Sequence, residues 1–163
     1  MKLSRTIRAA CVAAAAGALV ATAAIPARAV EVTIGYLGRQ DPPREPLSFV
    51  EPILEDEGIQ GAQLGLKDNA TTGRLLGQDF KLDEAIVPED GDPAAAAREM
   101  LERGVRLIVS DLPAQALLAV ADLPEAVDAL ILNARARDDS LRRDQCRANV
   151  LHTIPSRAML ADA

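Results

Sequence analysis

Few side chains in this 163-residue sequence are spaced for chemistry. His152 is its only histidine, and Cys146 precedes it by six residues, a separation that matches no zinc-ligand pattern. The sequence has no nucleophile turn combined with a histidine and an acid, and no glycine-rich phosphate loop. We therefore predict no catalytic residue, no metal site and no cofactor, so the chain is not predicted to be an enzyme. His152 is expected to be a hydrogen-bonded structural side chain.

Two adjacent acids, Asp138 and Asp139, are the remaining candidates for ion binding, because carboxylates suit hard cations. Four arginines accompany them: Arg135, Arg137, Arg142 and Arg143. Opposite charges mixed in one stretch favour a solvated loop with salt bridges over a cation site.

The N-terminus has the order of a secretory signal peptide. Residues 1–8 carry three positive charges, residues 9–25 are an unbroken small and apolar run, and a small-x-small triplet occupies 27–29. The run is alanine-rich and shorter than the roughly 20 residues that span a bilayer, which disfavours a membrane anchor. We predict a signal peptide over residues 1–29, cleaved after Ala29, and a periplasmic region over 30–163 with no membrane insertion.

The region after the predicted signal is acidic. The signal removes four basic residues and no acids, leaving 14 basic and 24 acidic residues and a formal charge of −10. This charge argues against nucleic acid and anionic membranes as partners. Cys146 is the only cysteine that remains, so no disulfide framework is predicted. Cys146 is expected to be either a buried free thiol or bonded to a partner that lies outside this sequence.

Short β-rich segments alternate with helical segments after residue 29. Strands are predicted at 31–37, 80–87, 106–110, 128–133 and 149–153, and helices at 53–69, 93–103, 114–121 and 157–163. The inner strands are nearly continuous in apolar residues, which indicates a parallel sheet that is covered on both faces. The predicted fold class is α/β, a doubly wound parallel sheet with helices on both faces.

Turn and cap residues support several of these boundaries. Asp92 is predicted to cap a helix whose first residue is Pro93, and Gly104 to end that helix. Ser156 is predicted to cap the last helix. Residues 71–78 are predicted to form a loop.

Polar side chains stand at the carboxyl ends of the predicted strands, where ligands bind in doubly wound sheets. We expect a small-molecule ligand to be contacted by Arg39, Ser110, Asp111, Asn133 and Arg135.

Three stretches resemble type I periplasmic solute-binding proteins of ABC transporters, the branched-chain amino-acid-binding class. Residues 59–73 (IQGAQLGLKDNATTG) resemble the first helix of that family, and residues 89–110 resemble its acid-rich turn, alanine-rich helix and strand. Residues 149–156 (NVLHTIPS) resemble the segment just before the helix that follows its fifth strand. The resemblance covers only the first lobe, so residues 30–163 are expected to be an apparently truncated lobe.

The resemblance implies capture of a small solute and delivery to an ABC permease in the inner membrane. Members that bind amino acids use a Ser/Thr cluster after strand three, whereas this chain has Ser110-Asp111-Leu112-Pro113 there. Because Asp111 would repel a ligand carboxylate, a neutral or cationic group is expected instead.

A narrower resemblance concerns residues 35–39 (GYLGR) and 144–149 (DQCRAN). They resemble the subgroup associated with quinoprotein, PQQ-dependent alcohol dehydrogenase systems. The alternative function is a periplasmic accessory or sensor protein that uses the same fold without transport, because fold does not fix function.

Overall fold

Five parallel strands form one sheet in the computed structural model, which describes residues 29–42 and 56–163. The strands are β1 (Val30–Arg39), β2 (Gln78–Val87), β3 (Leu107–Asp111), β4 (Leu130–Asn133) and β5 (Val150–His152). Their order is β2-β1-β3-β4-β5, and each neighbouring pair runs parallel. The predicted parallel sheet is confirmed, whereas residues 1–28 of the predicted signal peptide lie outside the described residues.

Helices alternate with the strands in the described part of the chain, and the last helix follows β5. They are α1 (Glu57–Leu76), α2 (Pro93–Glu102), α3 (Ala114–Ala121) and α4 (Arg157–Ala161), with short 3-10 helices at Pro124–Ala126 and Asp139–Arg142. The chain passes through α1 to β2 on one side of β1, then returns through α2 to β3 on its other side. Because such crossovers are right-handed, this reversal places α1 and α2 on opposite faces. Of the described helices, none is long and apolar enough to cross a membrane.

The two faces of the sheet differ in how much they bury. A Cβ atom on Gly35 of β1 would lie 3.3 Å from the sulfur of Met100 in α2, so this side of β1 faces α2. The main core fills the α2 face, where the largest buried apolar side chains include Leu37, Met100, Ile108, Leu117 and Ile131. Burying each such side chain contributes about 1.5–3 kcal/mol. The core therefore fixes the strands from the face opposite to α1.

Helix α1 ends later than the sequence predicted. Residues 71–78 were expected to form a loop, but α1 continues to Leu76 and β2 begins at Gln78. A Cβ atom on Gly73 would lie 2.7 Å from the Phe80 ring, so close packing on β2 overrides the weak helix propensity of glycine. Gly77, with φ of 68°, then ends the helix in the left-handed conformation. Apart from α1, the bounds agree with those predicted to within two residues.

The predicted helix caps are confirmed. Asp92 Oδ1 accepts a hydrogen bond from the Ala94 amide at 2.9 Å, and Ser156 Oγ accepts one from the Met159 amide at 3.4 Å. Gly104, with φ of 90°, follows α2, and its amide donates to Leu101 O at 3.0 Å. These local hydrogen bonds satisfy backbone groups that the helix ends would otherwise leave unpaired.

Candidate functional site

The order of the strands places a switch point between β1 and β3. Starting from β1, the chain adds β2 on one side and then β3 on the other. Ligands of open parallel sheets bind outside the carboxyl ends of the strands at such a point. Arg39 ends β1 and Asp111 ends β3, with Gly38 paired to Asp111 in the register. The candidate site therefore lies at the carboxyl ends of β1 and β3.

A tyrosine holds the acid at the switch point. Tyr36 Oη donates a hydrogen bond to Asp111 Oδ2 at 2.7 Å, which joins β1 to β3. Tyr36 is only 4% exposed, whereas the Asp111 side chain is 31% exposed. Burial, and then the hydrogen bond to Asp111, raise the pKa of Tyr36 far above its ordinary value, so the phenol remains a donor. The buried Tyr36 therefore orients the Asp111 carboxylate, whose other side is open to solvent.

The first turn of α1 lies against this pair. A Cβ atom on Gly58 would lie 2.2 Å from Tyr36 Oη and 2.4 Å from Asp111 Oδ2. Only glycine lets the helix approach so closely, and the positive end of a helix dipole favours a nearby carboxylate. Glycine is a weak helix former, and no residue next to Gly58 in the sequence predicts this contact.

An arginine bridges two acids beside the pair. Arg135 Nε lies 4.0 Å from Asp111 Oδ1, and Arg135 Nη2 forms an ion pair with Asp41 Oδ1. The Arg135 side chain is 29% exposed, so the guanidinium and the Asp111 carboxylate both reach solvent. This arrangement can offer a solute one anionic and one cationic hydrogen-bonding group at the same edge.

The other predicted ligand residues lie on the opposite face. Side chains alternate along a strand, so Arg39 and Ser110 point away from the face of Tyr36 and Asp111. Arg39 Nε and Ser110 Oγ are buried and have no hydrogen-bond partner within the described residues. Ser110 and Asn133 are fully buried. The structure therefore brings the side chains of Asp111 and Arg135 together, whereas the side chains of Arg39, Ser110 and Asn133 lie on the other face of the sheet.

Asn133 organises the loop that carries Arg135. Its Oδ1 accepts hydrogen bonds from the amides of Arg135 at 3.2 Å and Ala136 at 2.8 Å, and its Nδ2 donates to Ala136 O at 2.7 Å. Nδ2 also lies 2.9 Å from His152 Nδ1. An asparagine that bonds the backbone two residues on is a common turn former, a signal that could have identified this role from sequence.

His152 is hydrogen-bonded at both ring nitrogens, which confirms its predicted structural role. Besides Asn133, its Nε2 lies 3.2 Å from Leu141 O. Burial, and then the positive charge of Arg142, lower the pKa of His152 below its ordinary value. The imidazole is therefore neutral at neutral pH.

The two adjacent acids, Asp138 and Asp139, contact other residues of the same chain. Asp139 Oδ1 accepts a hydrogen bond from the Ala158 amide at 3.0 Å, and Asp138 lies 3.9 Å from Arg157 Nη2. Hydrogen bonds from Ser156 and from the Ala158 amide hold the pKa of Asp139 below its usual value. Within the described residues no cluster of three His, Cys, Asp or Glu side chains could hold a metal ion.

The structure excludes one of the two interpretations of the single cysteine after residue 29. Cys146 is free and exposed, so the buried-thiol alternative is wrong. Its place in the polar stretch before β5 leaves the sulfur in contact with solvent.

Solved substrate-binding proteins have this fold. Two structures of an ABC transporter substrate-binding protein from Desulfitobacterium hafniense, one of them a complex with Leu, match with TM-scores of 0.55 and 0.56 at 16% identity. The match covers 78% of this chain and 34% of theirs, so the chain spans about a third of their length. No family model and no curated protein matches the chain.

The comparison identifies the fold as the α/β fold of ABC transporter substrate-binding proteins.

Proposed function

We propose that this chain is one lobe of a periplasmic solute-binding protein that captures a small solute and delivers it to an ABC permease. The observation that carries the proposal is the Asp111–Arg135 pair at the switch point, held from within by Tyr36 and partly open to solvent. The fold shared with the substrate-binding proteins above supports it. In such a mechanism two lobes close on the solute by a hinge, and one lobe supplies only part of the contacts.

The charges at the site indicate the kind of solute. Asp111 repels a solute carboxylate, and Arg135 offsets this repulsion in part from 4.0 Å away. Because Arg135 is also paired with Asp41, the three groups together carry one net negative charge. We propose a neutral polar or cationic solute whose donor group approaches the open side of the Asp111 carboxylate.

Replacing Asp111 with asparagine tests this role. Asp111→Asn keeps the size of the side chain and an acceptor for Tyr36 but removes the charge. We expect the affinity for a bound amine or amide to fall about tenfold or more, since a hydrogen bond to a charged group is worth about 1.5–3 kcal/mol. Titration calorimetry on the full protein, with a panel of small amines, amides, alcohols and leucine, measures it.

A matched change separates a site effect from a general charge effect. Asp128, an exposed acid in the turn before β4, lies outside the site, and Asp128→Asn should bind as the wild type does. Equal affinities of Asp111→Asn and wild type for every solute that binds would remove Asp111 from the site.

We propose that the protein acts in the periplasm after cleavage of residues 1–29. The charged N-terminus, the apolar run and the small-x-small triplet support this location. Mass spectrometry of the protein from periplasmic extracts should give an N-terminus at Val30. An intact Met1 in the cytoplasmic fraction would contradict it.

We also propose a link to a PQQ-dependent alcohol dehydrogenase system, supported by the resemblance of residues 35–39 and 144–149 to that subgroup. The genes beside the coding sequence distinguish transport from the alternative function, a periplasmic accessory or sensor protein. Permease and ATPase genes favour transport, whereas a dehydrogenase and a cytochrome without them favour the accessory or sensor role.

A further inference from the structure

The orientation of the Asn133 amide is fixed by the backbone around it. Two amides, those of Arg135 and Ala136, point at one end of the side chain, and the carbonyl of Ala136 faces the other. The end that meets two N–H groups must be the oxygen, and the end that meets a carbonyl must be the nitrogen. Turning the amide over would place donors against donors and oxygen against oxygen.

This orientation determines the proton on His152. Asn133 Nδ2 is a donor and lies 2.9 Å from His152 Nδ1, so Nδ1 must be unprotonated and accept. The proton of the neutral ring is then on Nε2, which donates to Leu141 O at 3.2 Å. Protonation at Nδ1 would set an N–H against the N–H of Asn133, and Asn133 cannot turn over without losing its three backbone bonds.

The charges around the ring favour the neutral form. The positive charge of Arg142, on the 3-10 helix, lowers the pKa of the ring, and Arg147 lines the same small cleft as His152. The charge of Arg147 is compensated by Asp122, whose Oδ2 lies 2.9 Å from Arg147 Nη2. From α3 only the apolar Leu117 and Leu118 line this cleft, so no described carboxylate there stabilises an imidazolium.

We propose that His152 is a positioning residue for Arg135: the neutral ring holds Asn133, Asn133 holds the backbone of Arg135, and protonation of the ring in acid releases this loop from the candidate site. The proposal rests on the proposed function only in assigning Arg135 to a solute site. The link runs through hydrogen bonds, from β5 to β4 and from β4 to the loop that bears the guanidinium.

The direction of the pH effect follows from the lowered pKa. The unfolded chain takes up a proton at His152 near its ordinary value of 6.5, whereas the folded protein does so at lower pH. Between the two values the unfolded state binds more protons, so this contribution to stability is complete above pH 6.5 and is lost as the pH falls below it.

Nuclear magnetic resonance tests the link on the protein without any solute. His152 is the only histidine, so its ring signals are unambiguous through a titration from about pH 8 to about pH 4.5. Hydrogen-exchange protection factors of the Arg135 and Ala136 amides are followed in parallel. We expect the protection factors of both amides to fall about tenfold, the loss expected for one hydrogen bond. The midpoint of this fall should coincide with the midpoint of the His152 titration. The Val105 amide, bonded to Met100 O at the end of α2, should keep its protection.

Each outcome decides the proposal. Unchanged protection at Arg135 and Ala136 while His152 titrates overturns it, and equal loss at Val105 overturns it as well because that would be global unfolding. In His152→Gln the amide oxygen can accept from Asn133 without titrating, so protection at Arg135 should persist in acid. If that variant does not fold, the wild-type titration alone decides. No solute is involved, so the result is independent of the Asp111 binding test.

Discussion

Replacing Asn133 with leucine should lower the free energy of unfolding by at least about 3 kcal/mol. Leucine has the same branched shape but is larger, and it removes the acceptor of two backbone amides and the donor to a buried carbonyl. Each buried backbone group left without a partner costs about 1–3 kcal/mol. The Ala136 amide and carbonyl bonds are buried, the Arg135 amide bond is part-buried, and His152 loses its donor as well. Urea denaturation followed by far-ultraviolet circular dichroism measures the change.

Asn69→Leu is the matched control. Asn69 is exposed on α1, and among the described residues its side chain bonds only the carbonyl of Gly65 in its own helix. Exposed substitutions of this kind change stability by about 0.5 kcal/mol or less. If Asn133→Leu cost no more than Asn69→Leu, the loop between β4 and the following 3-10 helix would not depend on the asparagine.

Alanine at Gly58 should destabilise the protein by about 1–3 kcal/mol, although alanine is the better helix former. Its Cβ atom would lie 2.2 Å from Tyr36 Oη and 2.4 Å from Asp111 Oδ2, so either the hydrogen bond between them or the start of α1 must shift. Tyr36 is rigid and buried, and its bond to a carboxylate is worth about 1.5–3 kcal/mol, more than the roughly 1 kcal/mol gained in helix propensity.

Gly61→Ala tests the same substitution in the same helix without the contact. No atom of the residues that the structure describes lies within 4 Å of a Cβ atom on Gly61, so alanine there should stabilise the protein by up to about 1 kcal/mol. Opposite signs at the two positions, measured by urea denaturation, are the expected result. A gain at Gly58 equal to that at Gly61 would show that α1 does not press on the Tyr36–Asp111 pair.

The elements of the fold that local chemistry determines could be predicted from sequence. Helix α3 has the predicted bounds, and Asp92 and Ser156 cap their helices as expected. The end of α1 could not be predicted, because Gly73 is poor for a helix by itself and is kept there by Phe80 on another element.

The candidate site was predictable only in part, for a similar reason. Asp111 could be predicted because it stands at the end of a predicted strand, and Arg135 because it comes just after the next strand. The role of Tyr36 could not be predicted, because its partner is 75 residues away and comes within reach only when the two strands are adjacent. Asn133 was expected to contact a ligand because it ends a strand, but its amide is occupied by its own loop.

The central place of β1 also affects how the sheet can form. β1 precedes both of its neighbours in the chain, and its contact with β3 joins residues that are 75 positions apart. A chain that emerges from the N-terminal end therefore presents β1 with both edges unpaired until β2 and then β3 have followed. Sheets built from such distant pairings fold slowly. During this interval the open edges of β1 are where a newly made chain is most exposed to pairing with another chain.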